Sequence, residues 1–168
     1  MLIESLRAGG RNARYHFHAY AVEALGKLGN SKASLPIAKL LDPEVDYSMS
    51  RDYLYLAAIR KTKGSDAAPI LVGYLSSLVE KMKGQNMRDY PNARGSEARQ
   101  VRYNFQVYGL TLSALEAVTG NASIRVSRAE VAAYWREWLE RPTANKRLQP
   151  DAGKGAGNST ENSQSKDQ

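Results

Sequence analysis

The chain has 168 residues, 42% of them hydrophobic and 24% charged, which is length and apolar content enough for one sizeable core. It contains no cysteine, and this excludes a disulfide framework, thiolate metal sites and a cysteine nucleophile. Twenty-four Lys and Arg against seventeen Asp and Glu leave a net charge of +7, an excess that favours acidic partners such as nucleic acid or an acidic protein face.

No apolar run approaches the roughly 20 residues of a membrane-crossing helix, so no span is expected. The opening MLIESLRAGGRNARYHF lacks the basic start, apolar block and small-residue cleavage site of a secretory signal, which points to the cytoplasm. Leu2, Ile3 and Leu6 have the spacing of the second helix of a helix pair, as though the chain opened inside a repeat unit. Phe17, Ala21, Ala24, Leu25 and Leu28 then form one apolar stripe at helical spacing, closed by Gly29 where a left-handed cap is wanted. His16 and His18, the only histidines, fall about 200° apart on that helix, so they cannot share a metal ion and belong to a helix wall. NSKASLPIAKLLDP supplies a new start, a proline tolerable in a first turn, and a second stripe at Ile37, Leu40 and Leu41. Asp42, Glu44 and Asp46 follow in a loop and read as solvated or helix-capping acids.

The pattern returns at a shift of 34, which carries Ala21, Ala24 and Leu25 onto Tyr55, Ala58 and Ile59, and Ile37, Leu40 and Leu41 onto Leu71, Tyr74 and Leu75. A third copy starts in YGLTLSALEAVTGN, with Ala114, Leu115 and Val118 in place of Ala24, Leu25 and Leu28. Its partner helix SRAEVAAYWREWLER opens on a Ser127/Glu130 capping box and buries Val131, Tyr134, Trp135 and Trp138. Between the second and third copies lies an insertion, about residues 84–100, that makes this interval roughly twenty residues longer than the repeat requires. Beyond Pro142 the sequence is nearly free of large apolar residues, so 142–168 reads as a disordered tail. Four basic residues there nearly balance three acids, so about +6 of the charge belongs to residues 1–141.

AVEALGKLGNSKASLPIAKLLDP resembles a HEAT-type repeat of the short bacterial, phycobilisome-lyase-like kind; ALEAVTGN repeats the end of its first helix, and YWREWLER resembles the Trp-containing helix that ends such arrays. The resemblance implies an all-α fold, an α-solenoid of about three and a half antiparallel helix pairs over residues 1–141. The shift of 34 is shorter than the about 40–47 residues of larger HEAT units; it equals the tetratricopeptide period, but the Trp-x-x-Leu-Gly-x-x-Tyr signature of that repeat is missing. Proteins of this kind are scaffolds that bind proteins or, in some branches, nucleic acid; one branch removes alkylated bases from DNA and another attaches bilins to phycobiliproteins. No motif here matches catalytic positions of either branch.

The expected function is accordingly a non-enzymatic scaffold for protein–protein interaction, with no cofactor, metal or catalytic residues. Stacked helix pairs leave an extended face, and Lys32, Lys39, Ser76, Glu80, Arg128 and Arg136 fall off the apolar stripes as candidates to meet an acidic protein partner. The alternative is nucleic-acid binding by the basic body and insertion, where Lys81, Lys83, Arg88, Arg94, Arg99 and Arg102 outnumber the acids and Tyr90 and Tyr103 interleave with them. Because Leu2, Ile3 and Leu6 lack a preceding unit, a homo-oligomer or a longer array is also expected. A buried carboxylate beside an aromatic-lined cleft would instead favour an enzyme.

Overall fold

The computed structural model describes residues 15–44, 47, 50–86, 95–124 and 126–141. Its helices are α1 (Tyr15–Leu28), α2 (Ser34–Ala38), α3 (Asp52–Thr62), α4 (Ala68–Lys81), α5 (Ser96–Thr119) and α6 (Arg128–Glu140), with no strand among the described residues. The fold is all-α, as the apolar spacing predicts. Among these residues no helix is long and apolar enough to cross a membrane. The half-unit expected at Leu2, Ile3 and Leu6, the tail over 142–168 and the side chains of residues 15–18 lie outside the described residues; the backbone at His16 and His18 is helical.

The recurrence at a shift of 34 is a recurrence of backbone geometry. α1 ends at Leu28 and α3 at Thr62; a left-handed residue follows each, Gly29 (φ 64°) and Lys63 (φ 56°), and then a 3₁₀ turn, Ser31–Ala33 and Ser65–Ala67. The left-handed residue turns its N–H back into the helix, Gly29 to Gly26 O at 3.3 Å and Lys63 to Ile59 O at 2.9 Å. α2 and α4 then start at Ser34 and Ala68. Buried apolar residues occupy matching places: Ala21, Leu25 and Ile37 in the first unit, Tyr55, Ile59 and Leu71 in the second. Leu28 departs from its expected place on the buried stripe. It is 71% exposed, whereas its counterparts Thr62 and Val118 are buried, because it projects from the last turn of the first described helix in the row, where no described element covers it.

The helices stand in two rows. α1 packs on α3 and α3 on α5; across from them α2 touches α4 and α4 packs on α6, while α2 leans onto α3 and α4 onto α5. Small residues set the spacing. A Cβ at Gly26 would stand 3.1 Å from that of Ala58, so α1 and α3 approach almost backbone to backbone. The turns come closer still, for a Cβ at Gly64 would stand 2.2 Å from Ser31 O and 2.7 Å from Ser34 Cβ. A buried hydroxyl chain locks this contact: Gly64 N–H donates to Ser34 Oγ at 2.7 Å, Ser34 Oγ lies 2.5 Å from Thr62 Oγ1, and Thr62 Oγ1 donates to Ile59 O at 3.1 Å. Thr62 has spent its proton on Ile59, so Ser34 donates to Thr62 and both hydroxyls of this contact are satisfied.

Two elements differ from expectation. α2 stops at Ala38, and Leu40 and Leu41 continue it only as i→i+3 bonds to Ile37 O (3.0 Å) and Ala38 O (3.1 Å). The long insertion ends earlier than residue 100, because Ser96 already starts the 24-residue α5. Ala98, Val101 and Val107 carry its buried stripe toward the N-terminus, with two polar residues, Asn104 and Thr111, inside the stripe. Both are satisfied locally: Asn104 Oδ1 accepts from Gln100 Nε2 at 2.8 Å, and Thr111 Oγ1 donates to Val107 O at 2.7 Å. α6 begins on the expected capping box, and Trp135 and Trp138 meet edge to face (5.8 Å between rings) in the core.

Gly64→Ala is expected to lose about 1–3 kcal/mol of unfolding free energy from overlap at the turn. Gly73→Ala and Gly109→Ala, in helix interiors with nothing within 4 Å of the new methyl, are expected to gain about 0.5–1 kcal/mol each. Urea unfolding of the three variants checks both signs.

Candidate functional site

The loop between α2 and α3 folds back over α5, and polar side chains stitch the junction. Ser50 is buried ahead of α3; its Oγ accepts the Asp52 N–H at 3.2 Å and pairs with the Tyr103 hydroxyl. Asp52 opens α3, where the helix dipole favours a carboxylate, yet it is only 3% exposed. Tyr74 of α4 donates to its Oδ2 at 2.5 Å, and the Asp42 backbone amide and Ser50 also hydrogen-bond to it. Tyr47 N–H donates to Gln100 Oε1 at 3.0 Å, a second tie between loop and α5.

Burial dominates the electrostatics. Desolvation raises the Asp52 pKa to about 6, against the opposing pull of its hydrogen bonds and with help from the nearby Asp42 charge. Tyr74 is pushed up by burial and by the Asp52 carboxylate, and Tyr103 is pushed up to about 12 mainly by burial. Both phenols are therefore protonated donors at neutral pH.

Outside this knot lies an open cleft of about 550 Å³, lined by Tyr47, Arg99, Arg102, Tyr103 and Gln106. The four α5 residues fall at i, i+3, i+4 and i+7, one stripe of the helix opposite its buried face, and Tyr47 forms the other wall. Arg102 Nε donates to Ala98 O at 3.3 Å, anchoring the root of its guanidinium, and the Ser50 bond fixes the Tyr103 ring. The cleft's described lining residues are two cations, two aromatic rings and an amide. Asp52 is a buried carboxylate near aromatic rings, but it is not among the cleft's lining residues, and its hydrogen bonds run to Tyr74, Ser50 and the Asp42 amide. Such a carboxylate holds the loop in place. Among the described residues no group of three His, Asp or Glu is gathered for a metal ion.

No family model, curated protein or solved structure matches the chain.

Of the residues expected to bind nucleic acid, Arg99, Arg102 and Tyr103 meet in the cleft. Lys81 instead donates to Pro43 O and pairs with Glu44 at 3.3 Å, and Lys83 pairs with Glu80 at 3.1 Å. Arg88, Tyr90 and Arg94 lie outside the described residues. Of the residues expected to face a protein partner, Lys32, Lys39, Glu80 and Arg136 are exposed, and Ser76 bonds back to Val72 O at 3.0 Å. Arg128 turns inward: it donates to Met82 O (3.2 Å) and Gln85 O (2.7 Å) at the end of α4, and it lies 4.9 Å over the Phe105 ring. Tyr47, Gln106, Ser50 and Asp52 were not singled out from the sequence. Gln106 carries a signal once α5 is known to begin at Ser96, being seven residues beyond Arg99; Tyr47 carries none, because only tertiary folding brings it to α5.

Asp52 has a folded pKa above its unfolded one, so the folded state holds the extra proton between pH 3.8 and about 6. Stability then falls as pH rises through that window, by up to about 3 kcal/mol from this group, and is level above it. Asp52→Asn should remove this component. The wild-type minus variant unfolding free energy should rise on going from pH 7 to pH 4; a flat difference would show an ordinary carboxylate.

Proposed function

We propose that the protein is a non-enzymatic helical-repeat scaffold, a short α-solenoid of about three and a half HEAT-like units, that holds an anionic macromolecule. The solenoid reading is supported by the matched left-handed caps, 3₁₀ turns and helix starts of the first two units and by the two rows of helices. The cleft on α5 carries the binding part of the reading: Arg99 and Arg102 line it together with Tyr47, Tyr103 and Gln106, on a chain of net charge +7.

The probes are a labelled polyglutamate peptide and a labelled oligonucleotide, titrated by fluorescence anisotropy. At least one should bind at low ionic strength and weaken steeply with added salt. Arg99→Glu with Arg102→Glu should abolish that binding, while Lys32→Glu with Lys39→Glu should reduce it less. Failure of both probes to bind at low salt would refute the proposal.

A further inference from the structure

We infer that the α5 cleft seats an unpaired nucleotide of a single-stranded nucleic acid, its base against Tyr103 and Tyr47 and its flanking phosphates on Arg99 and Arg102. This rests on the scaffold reading above and narrows its partner. Charge alone would serve an acidic peptide equally well; the cleft offers more. Two aromatic side chains, one from the loop and one from the helix, line an open space of about 550 Å³, and an aromatic ring can stack on any base because every base has a π-face. The hydroxyl of Tyr103 is occupied by Ser50, so its ring is held ready without an ordering cost on binding.

Gln106 adds an amide that both donates and accepts, as a base edge does, whereas a carboxylate could use only its donor. The guanidinium groups come from i and i+3 positions of one helix, so they present neighbouring charges along a line, as a backbone requires. A concave site admits a base that has been turned out of a stack, and double-helical nucleic acid keeps its bases inside. Ribose and deoxyribose strands share this chemistry, and the test separates them.

The full chain is titrated with labelled 12-mers of single-stranded RNA and DNA, a duplex of the same length, and polyglutamate. Single strands should bind at least about tenfold more tightly than duplex or peptide, and the ratio of RNA to DNA affinity reports whether a 2′-hydroxyl is read. Arg99→Ala with Arg102→Ala should weaken single-strand binding about tenfold or more and lower the salt slope by about 1.4. Tyr103→Leu should weaken it about fivefold or more through lost stacking, whereas Tyr103→Phe, which keeps the ring and loses only the tie to Ser50, should weaken it less than Tyr103→Leu; circular dichroism verifies that each variant is folded. Equal binding of polyglutamate or duplex, or indifference to Tyr103→Leu, overturns the inference and leaves the anionic scaffold standing. Absence of binding to every probe removes both.

Discussion

The architecture depends on one backbone contact, the approach of Gly64 to Ser31 and Ser34 at the turns of successive units. With only 2.2 Å between an added Cβ and the Ser31 carbonyl, the second turn can nest on the first solely because its residue has no side chain. Ser34 and Thr62 then convert proximity into a fixed register, since their hydroxyls are satisfied only when the turns are aligned. The closeness of Gly26 to Ala58 continues the same alignment along α1 and α3, so helix spacing and turn nesting are set together. Apolar burial supplies the driving force for this assembly; the small residues and hydroxyls choose its geometry.

The same economy of side chains is reversed at the other end of α3. There the Asp52, Tyr74, Ser50 and Tyr103 network brings polar groups into a largely buried junction, at the expense of desolvating a carboxylate. The gain is positional. Residues far apart in sequence are drawn into one corner, the loop carrying Tyr47 is pinned to α5, and one wall of the cleft acquires a ring that does not swing. A cleft assembled in this way uses a stability penalty to fix its shape.

Helix identity and repeat register were legible because they reside in apolar spacing, caps and punctuation: Gly29, the Ser127 box and the matched stripes are local signals. The start of α5 was hidden because Asn104 and Thr111 interrupt its apolar face, and their satisfaction by Gln100 and Val107 O is visible only in three dimensions. Arg99, Arg102 and Tyr103 could be named from composition, but not sorted from the other basic and aromatic residues, and Tyr47 could not be named at all. Lys81 and Arg99 look alike in sequence; one is drawn to the Pro43 carbonyl and Glu44, and the other lines the cleft. The buried state of Asp52 had no sequence signature, since an acid at a helix start is ordinarily wet.

Arg128 illustrates how far formal charge can mislead. Its guanidinium closes the carbonyl end of α4 and rests on Phe105, and Lys81 similarly spends donor capacity on Pro43. On the proposed reading these cations would add to the distant field that draws a polyanion in, yet have little left to offer on arrival. Encounter rate and grip would then be governed by different subsets of the basic residues, and substitutions at either subset would be separable kinetically, one through association and the other through dissociation.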